Sequence, residues 1–416
     1  MNKWLKCKIE DVCDFIGGSQ PPKSTFINYP QKNYTRLVQT RDFKTDKFPT
    51  YIPTNSTTKF FNKEDIIIGR YGPPIFQIFK GTLEGAYNVA LMKAVPKENI
   101  TNDFLYYFLT QRKVFEYVDN LSARTGGQTG VDLVSLYKYP INLPDKTEQK
   151  KITSVLSVLD FKIELNNRIN AELEAMAKTI YDYWFVQFDF PNENGKPYKS
   201  TGGKMVWNEE LKREIPEGWE NGIFADYCPS TGGFAFKSSW WTDEGVAVAK
   251  IKDIQENYTL DTSDLARVEI SDKEIDDKFL AKAGDILIAM TGATVGKYAI
   301  VPITDYPIYV NQRVGYFNLG NNPIKRLPFL INSMNQPYFR NSIFTLANGA
   351  AQPNISNEQI NSVQLLMPNK MLIDKYNEIF YPYYKTILNK QYENQQLASI
   401  RDWLLPMLMN GQILVK

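Results

Sequence analysis

The 416-residue chain contains no histidine. That removes Ser-His-Asp and Cys-His catalysis, histidine-ligated zinc sites and every histidine general base. Two short patterns still invite an enzyme reading. Gly292-Ala293-Thr294-Val295-Gly296-Lys297-Tyr298 approaches a phosphate loop, but it has one residue too few between its glycines and places Tyr298 where a Ser or Thr must bind magnesium. Lys297, close to two glycines, can instead meet a DNA phosphate. Pro144-Asp145 followed by Glu148-Gln149-Lys150 imitates the acidic cluster of a magnesium-dependent nuclease. Those acids are too close in sequence for the usual strand-borne metal site, and Glu148 reads as the first-turn acid of a helix. There is no glycine fingerprint for S-adenosylmethionine or a dinucleotide and no Asn/Asp-Pro-Pro-Tyr/Phe pattern of an amino-methyltransferase. No catalytic constellation, cofactor site or metal site emerges.

What remains is polar loop chemistry in duplicate. The segment Arg36-Leu37-Val38-Gln39-Thr40-Arg41-Asp42-Phe43 answers Ala247-Val248-Ala249-Lys250-Ile251-Lys252-Asp253-Ile254. Ser122-Ala123-Arg124-Thr125-Gly126-Gly127-Gln128-Thr129 answers Leu346-Ala347-Asn348-Gly349-Ala350-Ala351-Gln352-Pro353-Asn354. Arg, Lys, Asn and Gln can bond base edges, and glycine lets a loop enter a groove closely. The candidate DNA contacts in the first half are Lys23, Arg36, Gln39, Arg41, Lys44, Arg70, Tyr71, Arg124, Thr125 and Gln128. In the second half they are Lys237, Lys250, Lys252, Thr291, Thr294, Lys297, Arg313, Asn348, Gln352 and Asn354. For any one of them the alternative is a solvated turn. Asp42 and Asp253 read as turn braces. Net charge is only +2, yet residues 20–63 hold eight cations against two carboxylates, a local balance of +6; the matching stretch of the second half is acidic.

These loops sit in a chain that repeats itself. Trp4, Asp11, Cys13, Gly17 and Gly18 recur as Trp219, Asp226, Cys228, Gly232 and Gly233. Glu64-Asp65-Ile66-Ile67-Ile68 and Gly72 answer Gly284-Asp285-Ile286-Leu287-Ile288 and Gly292, and Gln128 and Pro144 answer Gln352 and Pro368. The offset drifts in steps from 215 through 220 to 224, as it does when loops change length between persistent elements. A period of half the chain means two copies of a whole domain rather than a solenoid. Each copy opens with short apolar runs between Gly, Pro and Asn turns, which predict strands, and one short helix over Thr101–Leu109 capped by Thr101 or Asn102, answered near Leu327–Asn335. Each unit is therefore expected to be α+β.

After Pro144 the texture changes. No Gly or Pro occurs from Lys146 to Val186, and the apolar period becomes helical. Ile152, Leu156, Leu159 and Ile163 form one seam and Ile169, Leu173, Met176, Ile180 and Tyr183 a second, with Asn166 and Asn167 at an apparent break between them. At an offset of 224 the same places hold Tyr376, Phe380, Tyr383 and Ile387, then Leu397, Ile400, Leu404 and Met407, with Lys390 and Gln391 at the break. Two such helices suit an intramolecular coiled-coil pair whose polar sites fix register; the alternative is two ordinary core helices. Pro382 and Pro406 predict that the second helix is regular from near Pro382 and bends or ends near Trp403. The expected organisation is a globular unit over 1–145, a long helix over 146–190, a turn-rich linker over 191–216, a second unit over 217–368 and a second long helix over 369–416, with pseudo-two-fold internal symmetry. No run reaches the roughly 18 apolar residues of a membrane span, and the start lacks a signal-peptide stretch. Three cysteines at spacing unlike a metal site fit free thiols in a reducing cytoplasm.

The order of globular unit, long helix, linker, globular unit and long helix resembles the specificity subunit of Type I restriction–modification enzymes. The telling stretches are Ile180-Tyr181-Asp182-Tyr183-Trp184-Phe185-Val186-Gln187-Phe188-Asp189-Phe190-Pro191, the linker through Gly203-Lys204-Met205, and Glu214-Ile215-Pro216-Glu217-Gly218-Trp219. Thr291 to Lys297 and Ala86 to Met92 are similar to target-recognition domains of that family. The resemblance implies two target-recognition domains that each read half of an interrupted double-stranded DNA site, held apart by an antiparallel helix pair. It implies two adenine-methylating modification subunits on the helices, where Ile152, Leu156, Leu159, Ile163, Tyr383, Ile387, Leu397 and Ile400 are the candidate partner contacts, and two ATP-driven restriction subunits outside them. S-adenosylmethionine, ATP and magnesium would belong to those partners, with none in this non-catalytic chain. A stand-alone histidine-free magnesium nuclease and a scaffold without base readout are the competing readings.

Overall fold

Ile66-Ile67-Ile68 and Ile286-Leu287-Ile288 lack polar alternation, and the computed structural model buries all six completely. A strand covered on both faces is written as such a continuous apolar run. The structure describes residues 4–415 except 44, 73–74, 123–129, 256, 271–274 and 348–352. It divides into two compact units, Met1–Phe161 with Leu397–Lys416, and Lys162–Gln396.

In the first unit one sheet orders Cys13–Gly17, Leu91–Pro96, Ile66–Gly69 and Ile78–Phe79, every neighbouring pair antiparallel. A second sheet orders Tyr51–Pro53, Tyr34–Val38, Gly85–Tyr87 and Phe60–Phe61, with its central pair parallel. The second unit repeats both plans. Ser230–Gly232, Val314–Phe317, Ile286–Ala289 and Tyr298–Ile300 form the antiparallel sheet. Ala266–Val268, Val246–Ala249, Ile308–Val310 and Leu280–Ala281 form the other, again with a parallel central pair, and Trp241–Thr242 adds an edge strand. Leu5–Lys8 pairs with Pro140–Leu143 as Glu220–Ile223 pairs with Gln364–Met367. The α+β repeat expected from the sequence is present, with the Trp241–Thr242 edge strand as the second unit's addition.

The repeated glycines have a steric cause. A Cβ on Gly18 would stand 2.1 Å from the Asn88 carbonyl oxygen, and one on Gly233 would stand 2.3 Å from that of Val310. The backbone that leaves each antiparallel sheet's first strand thus touches the strand end of the other sheet, where only hydrogen fits. The short helices also arrive as read. Asn102–Leu109 is capped by Thr101, whose hydroxyl accepts the Phe104 N–H, and its partner runs Leu327–Met334.

Lys146–Tyr181 and Lys370–Met409 are single helices of 36 and 40 residues, roughly 54 and 60 Å at 1.5 Å per residue. Asp145 caps the first by accepting the Glu148 N–H at 2.9 Å, and Asn369, its equivalent at the offset of 224, accepts the Leu372 N–H at 2.9 Å. Each helix also holds its own domain through a buried amide. Gln149 accepts the Thr101 N–H at 2.7 Å, and Asn377 accepts the Phe329 N–H at 2.9 Å. Beyond Tyr181 the first helix widens into a π-turn over Asp182–Val186. The segment expected to be only linker contains a hairpin, Met205–Asn208 with Arg213–Pro216.

Two expectations about these helices need correction. The seam does not break at Asn166–Asn167. Ile152, Leu156, Asn166, Asn170 and Ala177 are all buried, with Leu159, Ile163 and Leu173 half-buried between them, so one 4-3 repeat continues through both asparagines. Met176, placed on the second seam, is half exposed, because the polar residues that hold the true seam were invisible to an apolar pattern. The same slip misplaced the last turns of the second helix, where Leu405 and Leu408 are buried while Ile400 is 46% exposed. Nor do Pro382 and Pro406 end that helix, which runs from Lys370 to Met409 through both. Both lie on its exposed face, where the carbonyl that loses its N–H partner faces solvent, and Thr386 Oγ1 donates to the Pro382 carbonyl at 2.8 Å. Of the candidate partner contacts, Ile152, Leu156 and Ile387 are wholly buried within the chain's own cores; Leu159, Ile163, Tyr383 and Leu397 are half-buried.

Within the second unit the helices pair antiparallel. Tyr376 donates to the Ala177 carbonyl at 2.7 Å, while Asn166 donates to Glu393 and Asn394 at 2.8 Å each and accepts from Lys390 at 3.0 Å. Asn166 and Lys390 are equivalent positions of the repeat. An antiparallel pair in which a residue meets its own counterpart has a local two-fold axis there. In the first unit Asp160 accepts from Arg401 at 2.8 Å and from the Tyr107 hydroxyl at 2.6 Å, tying both helix segments to the domain's short helix.

Candidate nucleic-acid interface

The parallel-sheet strand of each domain ends in a tight turn that presents reader side chains. Tyr34–Val38 runs into a 3-10 turn at Thr40–Phe43, and Val246–Ala249 into one at Ile251–Asp253. An aspartate braces each. Asp42 accepts the Gln39 N–H at 2.8 Å and Asp253 the Lys250 N–H at 2.8 Å, both carboxylates being buried. Burial pushes both carboxyls above their ordinary range, against the pull of those donors. The turns are thereby braced by buried carboxylates, as their sequence position suggested.

What the braces carry differs between the domains. In the first, the Gln39 amide and the Arg41 guanidinium converge on Thr50 Oγ1 at 3.0 and 2.8 Å, and Arg41 also donates to the Phe48 carbonyl at 3.3 Å. The Arg41 side chain is still half exposed, so it keeps donors for an outside acceptor. Arg36 is not equally available: it pairs with Asp46 at 2.7 Å and its side chain is 19% exposed. In the second domain Lys250 packs its ammonium 3.4 Å from the centre of the Trp241 ring, where burial lowers its pKa. Lys252 pairs with Asp264 at 3.7 Å and Asp253 at 3.8 Å.

A second locus also occurs in both domains. Tyr71 bridges to Gly130, and Thr291 bridges to Asn354 at the equivalent position. The Arg70 carbonyl accepts the Val131 N–H at 3.0 Å, as the Met290 carbonyl accepts the Ile355 N–H at 2.9 Å. The structure therefore sets Tyr71 beside Gly130, with the Arg70 guanidinium 5.0 Å over the Tyr71 ring, and joins Thr291 to Asn354. The loop residues Arg124, Thr125, Gln128, Asn348 and Gln352, and Lys44, lie outside the described residues.

The remaining candidates are dispersed. Lys23 is exposed on the 3-10 turn Lys23–Thr25, Lys237 is exposed 5.7 Å over Trp240, and Arg313 is exposed beside the Asn311 turn. Thr294 ends the 3-10 turn Gly292–Thr294. Lys297 lines a groove of about 210 Å³ with Tyr258 and Arg340, the latter donating to the Tyr258 hydroxyl at 2.9 Å. Sequence reasoning missed Arg340, and it missed the solvent-facing rings of Tyr29 and Phe48, 57% and 67% exposed. Their exposure is set by the fold and has no signal in the local sequence.

Among the described residues no group of three or more Cys, Asp or Glu could hold a metal ion, and no helix is long and apolar enough to cross a membrane. The acids of the nuclease-like pattern serve the helix start, Asp145 as its cap. Burial pushes the thiols of Cys13 and Cys228 up to about 12 and about 11, and both are free.

Comparison with known proteins gives one consistent result. The model of the Type I restriction modification DNA specificity domain matches residues 1–175 and 216–399. The Type I restriction enzyme MjaIX specificity subunit of Methanocaldococcus jannaschii is 24% identical, over 99% of this chain and 94% of its own. The HindI specificity subunit of Haemophilus influenzae is 25% identical, over 76% of this chain and 79% of its own. In fold, the S subunit of a Type I restriction–modification system from M. genitalium superposes with a TM-score of 0.53 at 15% identity, covering 97% of this chain and 96% of that one.

Proposed function

The chain belongs to the Type I restriction modification DNA specificity family, and we propose that it reads an interrupted two-part DNA site, one half with each globular domain. One observation carries this reading. The same strand plan and braced turns occur twice, while the side chains on those turns differ, Gln39 and Arg41 against Lys250 and Lys252. A duplicated scaffold with unlike reading groups suits two unlike half-sites.

Arg41, Gln39, Arg70 and the loop over 123–129 are the proposed base readers of the first domain. Lys252, Thr291, Asn354 and the loop over 348–352 are those of the second, with Lys23, Lys237, Lys297 and Arg313 toward phosphates. The long helices act as spacer and as the seat of two modification subunits, through Ile400 and the half-buried Leu159, Ile163, Tyr383 and Leu397. Two restriction subunits bind outside these. S-adenosylmethionine, ATP and magnesium belong to those partners, and the assembly works in the cytoplasm. A nuclease role is disfavoured, since Asp145 is committed to capping a helix; membership in a DNA specificity family disfavours a bare scaffold.

The test is to express the chain with a Type I modification subunit from its own source and map N6-methyladenine across a host genome. One bipartite motif that disappears with this chain is the expected result. Methylation without a bipartite motif, or plasmid cleavage by the purified chain with Mg²⁺ alone, contradicts the reading.

A further inference from the structure

The first domain carries a groove of about 460 Å³ lined by Phe26–Tyr29, Lys47–Thr50 and Arg41. Two of its rings, Tyr29 and Phe48, are more exposed than buried. A single exposed ring needs no explanation, but two on one groove beside an anchored guanidinium do. Arg41 donates both to Thr50 Oγ1 and to the Phe48 carbonyl, so the loop that carries Phe48 is tied to the cation. The surrounding residues 20–63 hold a balance of +6.

Charge of that sign selects a polyanion, and exposed rings select a flat apolar surface. Duplex DNA offers both, phosphates outside and base faces within the stack. The second domain closes the corresponding spot. Trp241, the counterpart of Phe26 at an offset of 215, is covered by the Lys250 ammonium, and its neighbourhood is acidic.

Building on the proposed DNA reading, we infer that Phe48 wedges between neighbouring base pairs of the first half-site while Arg41 reads a base edge beside the opened step and Lys47 holds the adjoining phosphate. The first domain then selects its half-site partly by how readily one base step opens, and pyrimidine–purine steps open most readily.

The experiment uses the full chain and duplexes that carry the methylation site mapped as above, with 2-aminopurine placed in turn along the first half-site. Wild-type protein should brighten one step, and Phe48→Ala should not. Phe48→Ala should bind the intact duplex about ten-fold more weakly, as loss of one base–aromatic contact implies. It should regain affinity on a duplex with a mismatch at that step, where opening is already done. Because Phe48 is exposed, the melting temperature should stay unchanged. No brightened position with wild type, or equal binding by Phe48→Ala, overturns the wedge. Failure of the wild type to prefer the mapped site over a scrambled one is a different result, which removes the DNA reading itself and the wedge with it.

Discussion

At the turn before its central strand the first domain places Asp65 and the second places Asp285, and each accepts a backbone N–H from three residues back, Asn62 and Lys282, at 2.9 Å. Across the sheet the register then sets Lys93 beside Ile67 and Tyr316 beside Leu287. Asp65 therefore meets an ammonium at 3.3 Å and stays partly exposed, whereas Asp285 is sealed in, accepting from the Tyr316 hydroxyl and the Leu319 N–H at 2.8 Å each. Burial raises the Asp285 carboxyl above its ordinary range. The lesson is a division of labour. Backbone braces are held constant between the copies because the strands need them, and the groups around the braces have drifted, even inside the sheet. The reading turns follow the same rule, with Asp42 and Asp253 alike and their flanking side chains unlike.

That comparison can be broken most sharply at the aspartates. Asp285→Ala leaves the Leu319 and Lys282 N–H groups without their acceptor, the Tyr316 hydroxyl keeping the Leu280 carbonyl at 3.0 Å, and should cost about 3 kcal/mol, seen as a lower urea midpoint. Asp65→Ala removes a partly solvated ion pair and should cost about 1 kcal/mol or less. Equal costs would mean that the two sites are not the same brace in different surroundings. Gly18→Ala and Gly233→Ala should instead behave alike, each losing about 2–3 kcal/mol, because the same backbone approach is blocked in both. In binding, Arg41→Ala should lose roughly 1–3 kcal/mol and relax one position of one half-site, while Lys297→Ala should weaken all sequences evenly and lower the salt slope by about one. Competition binding against single-base variants separates the two outcomes.

The smallest effect concerns pH. The Asn166 amide holds the Glu393 carboxyl below the ordinary glutamate range. A depressed carboxylate stabilises the fold above its unfolded pKa, about 4.3, and that stability disappears as pH falls through the lower folded value. The stability gap between wild type and Glu393→Gln should therefore narrow from pH 5 to pH 3. A gap that widens on acidification would show that Asn166 does not hold the carboxylate.

Much of the fold was legible because the chain states it twice. The offsets of Trp4, Asp65 and Pro144 from their counterparts marked the domain repeat, and Thr101 marked a helix start that the structure shares. The helix seam was only partly legible, since hydrophobic periodicity cannot see Asn166 and Asn170 as interior residues when their partners lie more than 200 residues away. The prolines misled for a related reason: the cost of Pro382 and Pro406 depends on which face they occupy, and both occupy the exposed one. At the site, turn braces were readable from local spacing. The engagement of Arg36 with Asp46 and the exposure of Phe48 were not, because each is set by how loops fold over the sheet.

The central claim is that each domain reads its own half-site. Exchanging residues 1–145 for the first globular unit of another family member, and mapping N6-methyladenine in cells that carry the hybrid with its methyltransferase, tests it most directly. A bipartite motif with one half replaced and the other half unchanged is the expected result. A motif altered in both halves would contradict it.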